Sequence, residues 1–294
     1  MASQDSIHAD EPSRAAWFND PKTRGILYQV LVVVLFAAAV YWIVGNTLDN
    51  LRRSNISSGF GFLAGRSGFD VAQALIPFDS NSTFGRALVV GFLNTALVAV
   101  CGILTATIIG FLVGVGRLSR NWLIAKICMI YVEVFRNTPS LIQLFVVFFV
   151  LPGLGLRMPP FVAAAVALSL YFGAYAIEIL RAGLDSIPRS QVEAGHCLGL
   201  TSWQVYRHIV LAPALRNVYP ALGTQLVILL LGTSLASQVS AEDLFHAGSF
   251  IESRTYRSFE VYAVICGIYF TLVLITKAVL ALAGSLAFTW PVRR

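Results

Sequence analysis

Six long apolar runs constrain this chain more than any other feature: residues 26–44, 87–115, 122–151, 161–180, 218–237 and 261–282. A helix rises 1.5 Å per residue, so about 20 mostly apolar residues cross a hydrocarbon layer roughly 30 Å thick. Inside that layer no water satisfies the backbone, and a helix bonds its own N–H and C=O groups. The runs therefore predict an all-α integral membrane protein with about six transmembrane helices. One run is irregular, because Glu133, Arg136, Asn137 and Pro139 interrupt 122–151. Its second half, 140–151, is too short to span alone, so the stretch reads as one span that begins in the amphipathic segment before the break.

Charge supports the same class. Asp, Glu, Lys and Arg make up 12% of the 294 residues and hydrophobic residues 57%. A soluble domain carries about a quarter charged residues, so this chain lacks the polar material to cover a water-facing particle, and a soluble enzyme is excluded. The net charge of +6 is spread between apolar blocks, which argues for membrane lipid as the surrounding partner and against nucleic acid. Cys101, Cys128 and Cys266 lie in apolar runs and Cys197 in a polar loop. None has metal-ligand spacing with another, so neither a metal site nor a disulfide is expected.

Residues 1–25 are polar and do not have the form of a cleaved signal peptide. They read as a cytoplasmic tail before a first span at 26–44. A long glycine-containing outer loop at 45–86 follows, and then a five-helix core over 87–285. With the N-terminus inside, six spans return the C-terminus inside. Twelve Lys and Arg then lie on the cytoplasmic side, among them Arg14, Arg117, Arg120, Lys126, Arg293 and Arg294, against seven outside. That is the basic-inside bias.

The polar segment 181–216 is patterned like helices. Pro188 suits a helix start, where its missing N–H is no loss. Val192, Gly195 and Gly199 recur three and four residues apart and place small residues on one face. Thr201 or Ser202 is a cap for a second short helix, whose apolar face runs through Val205, Ile209 and Trp203. Pro213 is expected to break or kink the chain before the next span.

This segment resembles the cytoplasmic loop of ATP-binding-cassette importer permeases, described as Glu-Ala-Ala, three residues, then Gly, with Ile and Leu-Pro further on. Glu193, Ala194, Gly195, Gly199, Ile209, Leu211 and Pro213 match it; Gly195 stands where Ala is more usual, and Ala212 sets Pro213 one place late. The chain is also similar to permeases for polar amino acids, the histidine, glutamine and general amino-acid group. Gly91 and Thr95, with Asn94 between them, match the approach to their first core span. Arg117-Leu118-Ser119-Arg120 resembles their first cytoplasmic turn, and 132–139 their Glu-x-x-Arg-Gly-Thr-Pro stretch, with Asn137 in place of Gly.

The resemblance spans about residues 85–285. It implies the type I importer permease fold in a bacterial inner membrane, and ATP-driven uptake of L-amino acids by alternating access. It further implies that 181–216 couples to a separate ATPase, with Gly195 and Gly199 allowing close backbone approach. The partners implied are two ATP-binding subunits, a periplasmic amino-acid-binding protein, and a second permease subunit, either a copy of this chain or, as the general amino-acid group suggests, an unlike one. No Gly-x-x-x-x-Gly-Lys-Ser/Thr phosphate cradle occurs in this sequence. The chain is thus expected to hold no cofactor, with ATP and magnesium on the partner ATPase.

Charged residues near the spans need partners. Glu133 and Arg136, and likewise Glu178 and Arg181, sit three apart and are expected to form structural or gating pairs. Gln143, Tyr171, Tyr175, Thr224, Gln225, Thr233, Ser234 and Gln238 are polar groups within apolar spans and should face protein. Each singly suits interhelical hydrogen bonding; together they suit a polar path for a zwitterionic solute. The rival reading is an ion-gradient-driven secondary transporter, which needs an ion site at mid-membrane. The sequence offers no mid-span acid, since Glu133 and Glu178 lie near span ends.

Overall fold

The computed structural model describes residues 21–53, 59–117 and 119–288. Most of the expected tail, Ser57 and Ser58 of the outer loop, Leu118 of the first turn, and Arg293 and Arg294 lie outside the described residues. Contacts divide the chain into one unit up to Ser58 and another from Gly59 onward. The first unit contributes α1, Pro21–Arg53, 33 residues with none buried. It runs nine residues past the expected end at 44, through the polar stretch 45–53.

The second unit is helical: α2 (Phe84–Arg117), α3 (Trp122–Asn137), α4 (Ser140–Phe145), α5 (Pro160–Asp185), α6 (Arg189–Cys197), α7 (Ser202–Gln204), α8 (Ala212–Gly232), α9 (Leu244–Thr255) and α10 (Ser258–Ala287). Among the described residues, five helices are long and apolar enough to cross a membrane, with α7 and α8 joined through Ser202–Val239. A sixth crossing forms if α3 and the stretch Ser140–Leu154 count as one. These two halves meet at a bend of 110°. Pro139 has no N–H to continue the helix and keeps Thr138 extended, at φ −112° and ψ 133°.

α2 and α5 form the centre. Small residues line the contact: Gly110 on α2 faces Gly173 and Ala176 on α5, and the Ser169 hydroxyl lies 3.5 Å from the Gly102 carbonyl. A β-carbon on Gly110 would come within 3.2 Å of the Ala176 methyl, and one on Gly173 within 3.0 Å of Ile109 Cγ2. Small side chains let two backbones approach where lipid gives no hydrophobic drive to association. Thr105 and Ser169 close the same seam with a hydroxyl–hydroxyl bond. Around it, Val98, Ala99, Leu168, Phe172, Leu229, Leu230 and Leu272 pack α2, α5, α8 and α10 into one core. Leu144 and Val147 pack on Ala163, Ala164 and Ala167 at one end of α5.

The segment 59–83 is not a free loop. Arg254 donates to the carbonyls of Ser67 and Gly68, and Arg257 to that of Gly59. The Gly59 and Gln73 amides donate to the Glu260 and Glu242 carboxylates. Phe62 is buried with Phe84, Leu244, Ile251 and Val261. This segment therefore belongs to the core unit, which begins well before residue 87.

Candidate functional site

The loop between α5 and α8 folds as a small helical layer. Gln191 donates to the Pro188 carbonyl, so α6 starts directly after the proline. Gly195 is the buried residue of α6. A β-carbon there would stand 2.5 Å from Ile209 Cδ1 and 3.0 Å from Val205 Cγ2. Its missing side chain thus serves packing inside the loop.

Gly199 ends the layer's first helix with φ +76°. The Leu200 amide bonds the Gly195 carbonyl and the Gly199 amide that of His196, the pairing of a glycine-terminated helix. Thr201 and Gln204 then bond each other's backbone and side chain reciprocally, starting the next helix.

Of the break or kink expected at Pro213, no break occurs. The backbone widens into a π-helical stretch over Val205–Leu211 and runs on into α8, with Pro213 in its first turn. A wider turn moves the carbonyl that the proline ring would strike and needs no donor from it. Val205 is buried and Ile209 half-buried, as expected, but Trp203 is 66% exposed and stacks on Tyr206. Leu198 is 80% exposed. Glu193 and Ala194 are also exposed, and Leu211 and Pro213 half-buried. The loop's open face therefore combines two large apolar side chains with polar neighbours.

The ion pairs differ from the spacing-based expectation. Glu133 accepts from the Asn137 side chain at 3.0 Å, while Arg136 lies 3.8 Å from Glu178 on α5 and over the Tyr175 ring. Glu178 bonds Arg117 at the end of α2, and Arg181 reaches Asp185 at 3.6 Å instead. The packing of α2, α3 and α5 brings two guanidinium groups to Glu178, and cross-helix pairing wins over a shorter reach along one helix. Arg117 was expected in a cytoplasmic turn and not in an ion pair; its position at the end of an apolar run was the signal.

The eight polar span residues differ in burial and in partners. Gln143 is buried and donates to the Phe135 and Thr138 carbonyls at 2.8 and 2.9 Å, closing the bend that Pro139 opens. Thr233 is also buried, its hydroxyl on the Leu230 carbonyl. Thr224 and Ser234 bond carbonyls of their own helical stretch. Tyr171 donates to Tyr175, and Tyr175 to the Arg136 carbonyl. Gln238 is exposed and meets Ser237, and Gln225 is half-buried. Only Tyr171 and Tyr175 share a cluster with the ion pairs.

A second polar cluster lies at the end of the core away from the loop. Asn94 donates to the Gln73 and Glu242 carbonyls at 2.7 and 2.8 Å. Thr95 accepts the Leu244 amide at 3.0 Å. A β-carbon on Gly91 would stand 2.9 Å from Leu244 Cα. Gly91, Asn94 and Thr95 thus share one face of α2 and seat the start of α9. Asp243, 1% exposed, caps that helix through the His246 amide and faces the Tyr269 hydroxyl at 3.4 Å. Asp243 is buried by the passage of α2 and α10, which the sequence around it does not show. An Asp immediately before the helix start, the N-cap position, was the signal of its capping role.

A profile of the family described as "Binding-protein-dependent transport system inner membrane component" matches residues 102–290. The chain belongs to that family. The permease is 34% identical to the general L-amino acid transport system permease protein AapQ of Rhizobium johnstonii, over 88% of this chain and 90% of that protein. Their alignment runs over 362 positions, more than the 294 residues here, so AapQ carries residues that this permease lacks. It is 32% identical to the glutamine transport system permease protein GlnP of Escherichia coli, over 66% of this chain and 89% of that one. Among solved structures, an amino acid ABC transporter crystallised with histidines superposes with a TM-score of 0.64 at 30% identity, covering 68% of this permease and 94% of that chain. The permease is accordingly a multi-pass transport component of the inner membrane and not a catalytic enzyme.

Proposed function

We propose that this permease carries L-amino acids into the cytoplasm as one subunit of an ATP-driven importer. The likeness to AapQ over most of both chains carries the reading, and the likeness to GlnP and to the amino acid transporter structure supports it. The loop 181–216 lies on the cytoplasmic side, where the open face bearing Leu198 and Trp203 docks on a separate ATPase that binds ATP and magnesium. A stable apolar docking face outside the spans is what a partner helix or groove requires. The N- and C-termini lie in the cytoplasm, and residues 59–83 with α9 lie outside, where an amino-acid-binding protein delivers the solute.

A second, unlike permease subunit completes the pathway, and two ATP-binding subunits drive it by alternating access. Glu178, with Arg117 and Arg136, gathers α2, α3 and α5 next to the loop, so a push on the loop reaches three helices together. Arg181 with Asp185, and Glu133 with Asn137, hold the ends of their helices. Tyr171, Tyr175, Thr224, Gln225, Ser234 and Gln238 are the members of the polar set left for a weak solute path, since Gln143 and Thr233 are committed inside the fold.

Uptake of labelled L-amino acids by cells carrying the whole system tests this reading. Depleting ATP while the membrane potential is maintained abolishes uptake, and an ionophore at constant ATP leaves it in place. The opposite pattern would establish the ion-driven transporter.

A further inference from the structure

Glu133 and Arg136 stand three residues apart on α3 and do not pair with each other. Glu133 accepts from the Asn137 side chain at 3.0 Å through Oε2. Arg136 lies 3.8 Å from Glu178 Oε2, beyond hydrogen-bond reach, and Arg117 holds the other oxygen of that carboxylate. The Arg136 side chain is 39% exposed and its guanidinium donates no hydrogen bond among the described residues. It sits 5.4 Å from the centre of the Tyr175 ring.

Both charges lie just before the 110° bend at Pro139. An open anion and an open cation in an apolar span are costly against lipid and call for a polar companion. A broken helix is also where a membrane transporter can present polar groups to its solute. On the α5 side, the Tyr171 and Tyr175 hydroxyls stand 3.3 Å apart, and Tyr175 reaches the Arg136 carbonyl at 3.4 Å. Residues three apart on a helix have β-carbons about 5–6 Å apart. An ammonium and a carboxylate borne on a single carbon can bridge that gap and meet one charge each.

We propose that Glu133 and Arg136 form a binding site for the zwitterionic head of an α-amino acid. Arg136 takes the carboxylate beside the Tyr175 ring, where its planar fork suits a two-point contact. Glu133 takes the ammonium. The site rests on the amino-acid uptake proposed above and adds how the permease itself selects. It reads the two groups that every α-amino acid carries, and the side chain of the solute lies outside the pair, so unlike side chains are admitted.

Thermal unfolding of the purified full chain in detergent tests it, with L-alanine, L-glutamine and L-leucine as probes. At about ten times its dissociation constant each raises the midpoint by about 2 °C. L-Alaninamide, which lacks the carboxylate, and L-lactate, which carries a hydroxyl for the ammonium, give no gain. Arg136→Gln abolishes the gain for all three amino acids, and Arg136→Lys keeps part of it. Glu133→Gln lifts the rejection of a neutral group, so L-lactate then protects as well as L-alanine. A gain that survives Arg136→Gln, or L-lactate still rejected by Glu133→Gln, overturns the site, and the second arm stands even if Arg136→Gln fails to fold. ATP-driven uptake by the unaltered system with no gain from any probe overturns the site and leaves the amino-acid reading in place; neither uptake nor gain overturns both.

Discussion

Gly195 lies so close beneath Ile209 that a β-carbon at position 195 would stand 2.5 Å from the Ile209 δ-methyl. The atom in the way is the far end of a flexible side chain, while the second obstacle, Val205, is buried and cannot turn aside. Gly195→Val should therefore cost about 1–3 kcal/mol through overpacking of the loop. Gly195→Ala combined with Ile209→Val should recover most of the loss seen for Gly195→Ala alone. Limited proteolysis within 181–216 reads both outcomes.

Gly199 behaves differently, because nothing lies within 4 Å of its absent β-carbon and only its φ of +76° is restrictive. Gly199→Ala should lower stability by about 1 kcal/mol, and Gly199→Asn by less, since asparagine tolerates the left-handed region. Thermal unfolding of the two variants in detergent checks the order.

Glu178 neutralises Arg117 and approaches Arg136, with side chains 25%, 17% and 39% exposed. Removing the shared carboxylate leaves two guanidinium groups facing each other in a partly buried place. Glu178→Gln should destabilise by about 2 kcal/mol, discounted from the 3–5 kcal/mol of a fully buried pair. A double-mutant cycle of Glu178→Gln with Arg117→Ala should show strong coupling, and one with Arg136→Ala weak coupling. Equal couplings would contradict the geometry.

Asn94 ties two backbone carbonyls, those of Gln73 and Glu242, to α2. Asn94→Ala leaves both without their donor and should cost about 1–3 kcal/mol. The loss should appear as faster proteolysis within 59–83, with the loop 181–216 unchanged.

The spans were legible because a period of apolar residues longer than a bilayer has few alternatives. Each expected run falls inside an observed helix or helical pair, with ends extended by a few residues. The loop was legible as two short helices from Pro188, Gly195, Gly199 and Thr201, whose spacing is local. What could not be read was the outcome of competition between partners far apart in sequence. Glu178 had Arg181 three residues away and took Arg117 instead, 61 residues distant. Thr233 and Gln143 looked like candidates for a solute path, yet the fold uses them to satisfy carbonyls at helix irregularities. Asp243 drew no expectation from the sequence, because its burial depends on where α2 and α10 pass. Pro213 signalled a break, and a π-helical turn absorbed it, a local adjustment that spacing alone does not reveal.

Docking of the loop on a separate ATPase is the central claim, and Leu198 and Trp203 test it most cleanly because neither is buried in the fold. The measurement is copurification from cells carrying the whole system after gentle detergent extraction, comparing the unaltered chain with Leu198→Asp plus Trp203→Asp. The account predicts that an ATPase and a second permease accompany the unaltered chain, and that the double variant keeps the permease partner while losing the ATPase. An ATPase retained at full yield by the double variant, or none with the unaltered chain, would contradict it.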